Sequence, residues 1–305
     1  MGTLTNHDAE TAEGDSSAAG SRSSTTTHVS NSKPLPEEER TAKRPVSIRK
    51  KNINRDWLVQ LLRKHAASDS TKNTNDDEDD TDILKDKALV VAPMVDQSDL
   101  PFRLLCRRYG ANLCYTPMIH ARMFVNNERG YQCKFWNVVE GTPDADRPLI
   151  VQFAGGDPDV LVEAGRLVEN KCDAIDLNCG CPQSIAKRGN YGAFLLEQEE
   201  LLVKCVKALA ENVNCPVTVK VRLLHSGVQD SIKLYTKLVD AGASLLTVHG
   251  RHRFQKGHLT GRADWNAIKQ VVDALGHRVP IIANGSCACL DDVKECLRRT
   301  GADGE

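Results

Sequence analysis

Apolar and polar positions along this chain follow two regimes that meet near residue 85. Residues 1–35 are rich in Ser, Thr, Gly and Ala and carry almost no large apolar side chain. Such a stretch cannot offset the entropy of ordering, so it reads as disordered. Residues 1–85 are accordingly expected to form a low-complexity extension. Within it, "RTAKRPVSIRKKNINR" (40–55) is strongly basic, and "DDEDD" (76–80) should be solvated. Between them "DWLVQLLRKHA" (56–66) has the spacing of one amphipathic helix, with Trp57, Leu58, Leu61 and Leu62 on a face. The basic segment 40–55 reads first as a solvated linker. A phosphate-contacting arm and a nuclear import signal are sharper readings that the sequence does not separate.

From residue 87 short β-branched apolar runs alternate with helix-compatible stretches. The runs are residues 88–94, 111–118, 147–155, 174–180, 216–223, 245–251 and 279–286. Periodic segments at 159–171, 199–213 and 230–243 lie between them. Near-continuous apolar strands separated by helices predict a parallel sheet buried on both faces. The regular rhythm and the polar residues at strand ends favour an α/β fold of the TIM (β/α)8 barrel type over an open doubly wound sheet. No G-x-G-x-x-G follows the first run, which weakens the open-sheet alternative. Seven strands are visible, and "TGADGE" (300–305) reads as the turn into an eighth. Residues 86–305 are therefore expected to form a barrel domain truncated before its eighth strand, C-terminally incomplete, with two strand edges open to aggregation.

Composition narrows the function classes. Forty Lys+Arg balance 41 Asp+Glu, so global charge is silent on nucleic acid and only local patches inform. Eleven cysteines, odd in number and irregular in spacing, do not form a disulfide framework. They point to a reduced intracellular protein, cytoplasmic or nuclear. No apolar run is long enough to span a bilayer, and the acidic N-terminus (Asp8, Glu10, Glu13, Asp15) is neither secretory nor typically mitochondrial.

In a parallel barrel the chemistry gathers at the C-terminal strand ends. Those ends offer Pro93 and Met94, Gln152, Asn178 and Cys181, Lys220 and Arg222, His249 and Arg251, then Asn284 and Gly285. Amide, ammonium, imidazole and guanidinium groups converge with hardly a carboxylate among them. That set suits an electron-rich, anionic ligand rather than Mg²⁺ or hydrolysis by paired carboxylates. Lys220 and Arg222, two apart, share a strand face, and two cations inside a barrel mouth are costly unless they meet negative charge. Gly285 lets a backbone amide approach a ligand closely, and a phosphate at the following helix N-terminus is expected.

The cysteines form two C-x-C pairs, Cys179/Cys181 and Cys287/Cys289. Structural zinc sites read C-x₂₋₄-C with matched partners, so the metal signal is weak and no metal is expected. Cys106, Cys114, Cys133, Cys172, Cys205, Cys215 and Cys296 read as core filler, as does Cys179. Cys181 differs, because Gly180 and Pro182 set a turn just past a strand end. An unperturbed thiol near a pKa of ~8.5 is mostly protonated at neutral pH and can donate a proton. Proton donor is the favoured role for Cys181, with thiolate nucleophile second.

At these residues a resemblance emerges. "APMVDQSDLPFRLLCRRYGANLCYTPM", "VQFAGGDP", "DAIDLNCGCPQSIAKRGNYGAFLL", "VKVRL", "LLTVHGR" and "IIANGS" resemble the tRNA-dihydrouridine synthase family, closest to its eukaryotic Dus1-like branch. The resemblance covers about residues 88–304. It implies an FMN-containing barrel, followed in the family by a helical tRNA-binding domain, with NADPH (or NADH) as reductant. The reduced flavin delivers hydride from N5 to C6 of a uridine in the tRNA D-loop, and a cysteine thiol protonates C5; the family's acid matches Cys181. The resemblance implies that Pro93, Met94, Gln152, Lys220, His249, Asn284 and Gly285 contact the flavin. It implies that Asn178 and Arg222 reach the uracil. The basic "KRGNYG" loop (187–192) is placed to hold RNA backbone. No membrane and no obligate protein partner is implied.

The family pattern continues past "GADG", whereas Glu305 ends this chain. Loss of barrel closure, of part of the FMN phosphate grip and of much of the tRNA grip is expected, hence impaired activity. Two further readings stand beside the synthase: a non-catalytic RNA-binding barrel, and an FMN oxidoreductase of a free pyrimidine, similar to dihydroorotate dehydrogenases.

Overall fold

A computed structural model describes residues 53, 55–66, 82–136 and 145–305. All of them fall in one compact unit, Arg44–Glu305. The readings for residues 1–35, for the acidic run 76–80 and for nearly all of the basic stretch 40–55 lie outside the described residues.

The apolar runs form parallel strands: β1 (Val90–Val91), β2 (Leu113–Tyr115), β4 (Leu149–Ala154), β5 (Ala174–Cys179), β6 (Val217–Leu223), β7 (Leu245–His252) and β8 (Ile281–Asn284), paired in that order. A short β3 (Ile119–His120) adds to β4 off this path. The main helices are α1 (Trp57–Ala66), α2 (Leu100–Arg108), α5 (Pro158–Val168), α7 (Glu199–Asn212), α8 (Val228–Asp240), α9 (Trp265–Leu275) and α10 (Leu290–Thr300). Short helices α3 (Ala121–Val125), α4 (Tyr131–Phe135) and α6 (Ser184–Arg188) fill loops. Local chemistry marks several starts. Asp157 accepts the amides of Asp159 and Val160 ahead of Pro158 in α5, and Asp264 accepts that of Ala267 in α9. Gly301, in the left-handed region at φ +68°, ends α10.

The last three residues occupy the slot between the first and last strands. Gly304 bridges Ala88 on one side and Ile282 on the other. Ala88 donates to the Asp303 carbonyl, and Ala283 donates to that of Gly304. Asp303 also accepts the Ile281 amide on one carboxylate oxygen and Arg55 on the other. The two open edges expected from the strand count are thus bridged at this level by residues 303–305.

Strand parity sorts side chains into two cores. Val151, Phe153, Ile175, Leu177, Cys179, Val219, Val221, Leu246 and Val248 face the helices and form the larger cluster. Inward positions stack in layers. At the N-terminal end of the barrel, Leu113, Ile150, Ala174, Leu245 and Ile282 close the interior with apolar surface. Leu58 and Leu62 of α1 pack into the same cluster, and Trp57 donates to the Ser244 carbonyl at 2.9 Å. The folded unit therefore reaches upstream of residue 86. The helix read from residues 56–66 is a plug on the barrel floor, not part of a loose extension.

Candidate active site at the barrel mouth

Above the apolar floor lies a hydrogen-bonded polar layer. Gln152, Asp176 and Thr218 are neighbours in register across β4, β5 and β6, and all face inward. Thr218 donates to one Asp176 oxygen at 2.6 Å and the Gln152 amide to the other at 2.8 Å. Tyr115 and Thr247 share a hydrogen bond of 3.1 Å at the same level. Burial pushes the Asp176 carboxyl up to about 7, against the pull of those two donors and of Lys220.

The next layer is cationic. The Lys220 ammonium donates to the Asn284 amide oxygen at 2.6 Å. Burial lowers Lys220 to about 8, with Asp176 and Glu305 opposing that shift and Arg222 adding to it. His249 is driven down to about 2, by burial first and then by Lys220, Arg222 and Arg251. The Arg251 guanidinium lies 2.9 Å from His249 Nε2. Arginine has only donors, so Nε2 accepts and the neutral imidazole carries its proton on Nδ1. Arg251 further donates to Ser286 and to the Gly261 carbonyl.

Cys181 sits on the turn that leaves β5. Asn178 accepts the amides of Gly180 and Cys181 on its side-chain oxygen, at 3.1 and 3.0 Å, and donates to Gln152 at 2.7 Å. Arg222 Nε donates to the Gly180 carbonyl at 2.7 Å, which brings the guanidinium to the same turn. The Cys181 side chain is half-buried and lies close enough that a negative charge on its sulfur would favour the charged form of Arg222. Beneath it, Tyr191 is buried with Ala154 and Ala186 and meets His120 edge-on at 5.4 Å. Gly192, at φ +66°, passes so close that a Cβ there would lie 2.6 Å from the Cys181 carbonyl oxygen. The loop 187–192 is thus anchored rather than loose, with Lys187 and Arg188 exposed on the last turn of α6.

The structure brings Gln152, Asn178, Cys181, Lys220, Arg222, His249 and Asn284 to one mouth. Pro93 and Met94 follow β1, where Ser98 accepts the Met94 amide at 2.9 Å and holds the turn. Gly285, at φ +115°, lays its backbone against His249, where a Cβ would come 2.9 Å from the ring. Its amide donates to the Glu305 side chain at 3.0 Å.

Two expectations need correction. The site is not carboxylate-poor. Asp176 lies fully buried in the barrel, and Glu305, its carboxyl raised by burial, reaches the loop after β8. Period-two parity from Asn178 already pointed Asp176 inward, so a signal for it existed. Cys133, read as core filler, is exposed, while Cys106 and Cys215 are half-buried; Cys114, Cys172, Cys179, Cys205 and Cys296 are buried. Beyond β8, Cys287, Cys296 and Glu305 bring one side-chain atom each within 4.8 Å of one another.

The family model for dihydrouridine synthase (Dus) matches residues 90–305. The chain belongs to the dihydrouridine synthase family. It is 47% identical over 214 residues to the tRNA-dihydrouridine(16/17) synthase (NAD(P)(+)) of Saccharomyces cerevisiae, covering 70% of this chain and 50% of the relative. It is 49% identical over 215 residues to the corresponding (16/17) synthase-like protein of Mus musculus, covering 70% and 44%. The chain thus spans about half the length of these curated relatives. Among solved structures, a 2-naphthoyl-CoA reductase matches with a TM-score of 0.51 at 11% identity, covering 71% of this chain and 47% of that one, a likeness of fold alone. The dihydrouridine synthase match includes every strand from β1 to β8 and every inward group of the mouth. Among the described residues no helix is long and apolar enough to cross a membrane.

Proposed function

We propose that this dihydrouridine synthase chain carries the barrel that reduces uridine to 5,6-dihydrouridine in the D-loop of tRNA, with FMN as cofactor and NAD(P)H as reductant. One observation carries the reading. A cysteine on a turn pinned by Asn178 stands beside the buried Arg222 guanidinium, two residues along β6 from the buried Lys220 ammonium, at the mouth of a parallel barrel.

The residues present fit a flavin. The Lys220 ammonium is buried and donates a hydrogen bond to a neutral amide, an arrangement that favours an electron-rich neighbour. Gln152, Lys220, His249 and Asn284 would hold the group, Pro93 and Met94 would line it, and Gly285 leaves main chain bare of a side chain. When bound and reduced by NAD(P)H, FMN supplies the hydride that goes to uracil C6.

The chain's own groups supply the rest. The Cys181 thiol gives its proton to C5, so hydride and proton together saturate the C5–C6 bond and a thiolate remains. Arg222, beside that turn, stabilises the thiolate. Lys220 and Arg222 offer N–H donors to the negative charge that develops toward O4. The Asn178 amide keeps one N–H for the base after serving Gln152. Neutral His249 donates through Nδ1 without adding charge. Swinging the uridine out of the folded tRNA costs a few kcal/mol, which contacts from Lys187 and Arg188 to the RNA backbone would help offset.

The test is dihydrouridine formation on a tRNA transcript with FMN and NADPH, read as a two-hydrogen mass gain in the D-loop. Wild type should form the product. Cys181→Ala should lose about 100-fold or more of the rate while keeping flavin absorbance, the scale of a lost proton donor. A flavin-loaded wild type that leaves tRNA unchanged, or an undiminished Cys181→Ala, would overturn the proposal.

A further inference from the structure

The loops after β6 and β7 carry a second feature at the same rim. His225, His252 and Phe254 form an edge-to-face trio, with ring centroids 4.8, 5.1 and 5.9 Å apart. Phe254 is 48% exposed and His225 is exposed. Arg253 lies over two rings, 4.7 Å from Phe254 and 5.0 Å from Phe194. Its charge is partly met by Glu197 at 2.6 Å.

Two contacts tie this cluster to the catalytic turn. The Lys256 ammonium donates to the Pro182 carbonyl at 3.1 Å, one residue past Cys181. Arg222 donates to the His252 carbonyl at 3.3 Å. Solvent-exposed rings interleaved with cations suit single-stranded nucleic acid, because bases stack on rings while phosphates meet the positive charge. An apolar peptide would gain nothing from Arg253 and Lys256 among the rings. His252 is held below its ordinary value by burial, then by His225 and Arg222, so its ring stays neutral at physiological pH. Its Nδ1 is buried without a hydrogen-bond partner, an unmet polar group at the edge of the trio.

We propose that His225, His252 and Phe254, flanked by Arg253 and Lys256, form a stacking platform for an unpaired nucleobase adjacent in the RNA to the uridine that enters the mouth. The inference rests on the tRNA reading above. It adds a fixed place for a neighbouring nucleotide, so that part of the cost of unstacking is recovered on the enzyme.

The probe is a single-stranded RNA oligonucleotide with 2-aminopurine next to one uridine, titrated with the FMN-treated 305-residue chain. Wild type should quench the 2-aminopurine emission. Phe254→Ala should weaken binding about 5-fold or more and abolish the quench, the scale of one lost base–aromatic stack. Phe254→Trp should restore both, and Phe254→Leu should not. Equal binding and quenching by wild type and Phe254→Ala would overturn the platform and leave the synthase reading intact, as would full rescue by Phe254→Leu. Absence of RNA binding by wild type would overturn it too, and would turn the patch toward a protein partner. Quenching that depends on Phe254 without dihydrouridine formation on tRNA would sink the synthase chemistry and leave the platform standing.

Discussion

Asn178 sets the place of Cys181: its side-chain oxygen accepts the Cys181 amide at 3.0 Å, three residues along the chain. The same oxygen takes the Gly180 amide, and the amide nitrogen is tied to Gln152 on the neighbouring strand. The turn that bears the thiol is therefore fastened to the barrel wall by Asn178, together with Arg222 at the Gly180 carbonyl.

Replacing that side chain tests the fastening. Asn178→Ala leaves two turn amides and the Gln152 oxygen without this partner. The expected destabilisation is about 1–3 kcal/mol in urea unfolding, the cost of unmet buried hydrogen bonds. Single-turnover rates should fall more than flavin affinity does, because the thiol is misplaced. Equal rates in the variant would show that the turn holds itself.

Gly192 tests the same turn from the opposite side. An alanine there would keep a left-handed φ of +66° and press against the Cys181 carbonyl. Left-handed backbone alone costs about 1–2 kcal/mol. Gly192→Ala should lower the urea midpoint and change the rate at which Cys181 is alkylated, read by peptide mass mapping. An unchanged alkylation rate would mean that the turn absorbs the methyl elsewhere.

The buried Asp176 predicts a dependence on pH. Its carboxyl titrates at about 7 in the folded chain against 3.8 ordinarily. Between those values the folded state holds a proton that the unfolded chain has released. Linkage then makes stability fall as pH rises through this window, with the contribution complete only below the unfolded value. The stability difference between wild type and Asp176→Asn should shift against wild type from about pH 4 to pH 7 and level off above. A difference that is constant with pH would place the proton elsewhere.

The floor of the barrel makes the fourth test. Leu58 is 1% exposed and sits among Leu113, Ile150, Leu245 and Ile282. Leu58→Ala should cost about 2–5 kcal/mol, as buried leucine truncations do. Thermal melts would read it directly. A cost within error would show that α1 contributes nothing to the barrel.

Much of the fold was legible because its signals are local. The seven apolar runs became β1, β2 and β4 to β8, and the periodic segments became α5, α7 and α8. The polar strand ends did converge, since every second residue of a barrel strand faces inward. Asp176 escaped attention because an acid inside an apolar run looks like a solvated break; only its pairing with Gln152 and Thr218 makes its burial tolerable. The helix at 56–66 was legible but its seat on the barrel floor was not, because an amphipathic segment advertises an apolar face without naming its partner. Cys133 is exposed because its apolar neighbours in sequence do not enclose it in space.

By itself, the amino-acid sequence determined which segments are strands and helices and which side chains point into the barrel, because both follow from periods of two and 3.6 residues along one chain. Tertiary structure alone decided which of those groups meet and what charge each carries. Strand register puts Asn178 opposite Lys220 and His249 opposite Asn284. Closure around them strips away water, and that loss of solvent is what lowers Lys220 and His249 and raises Asp176.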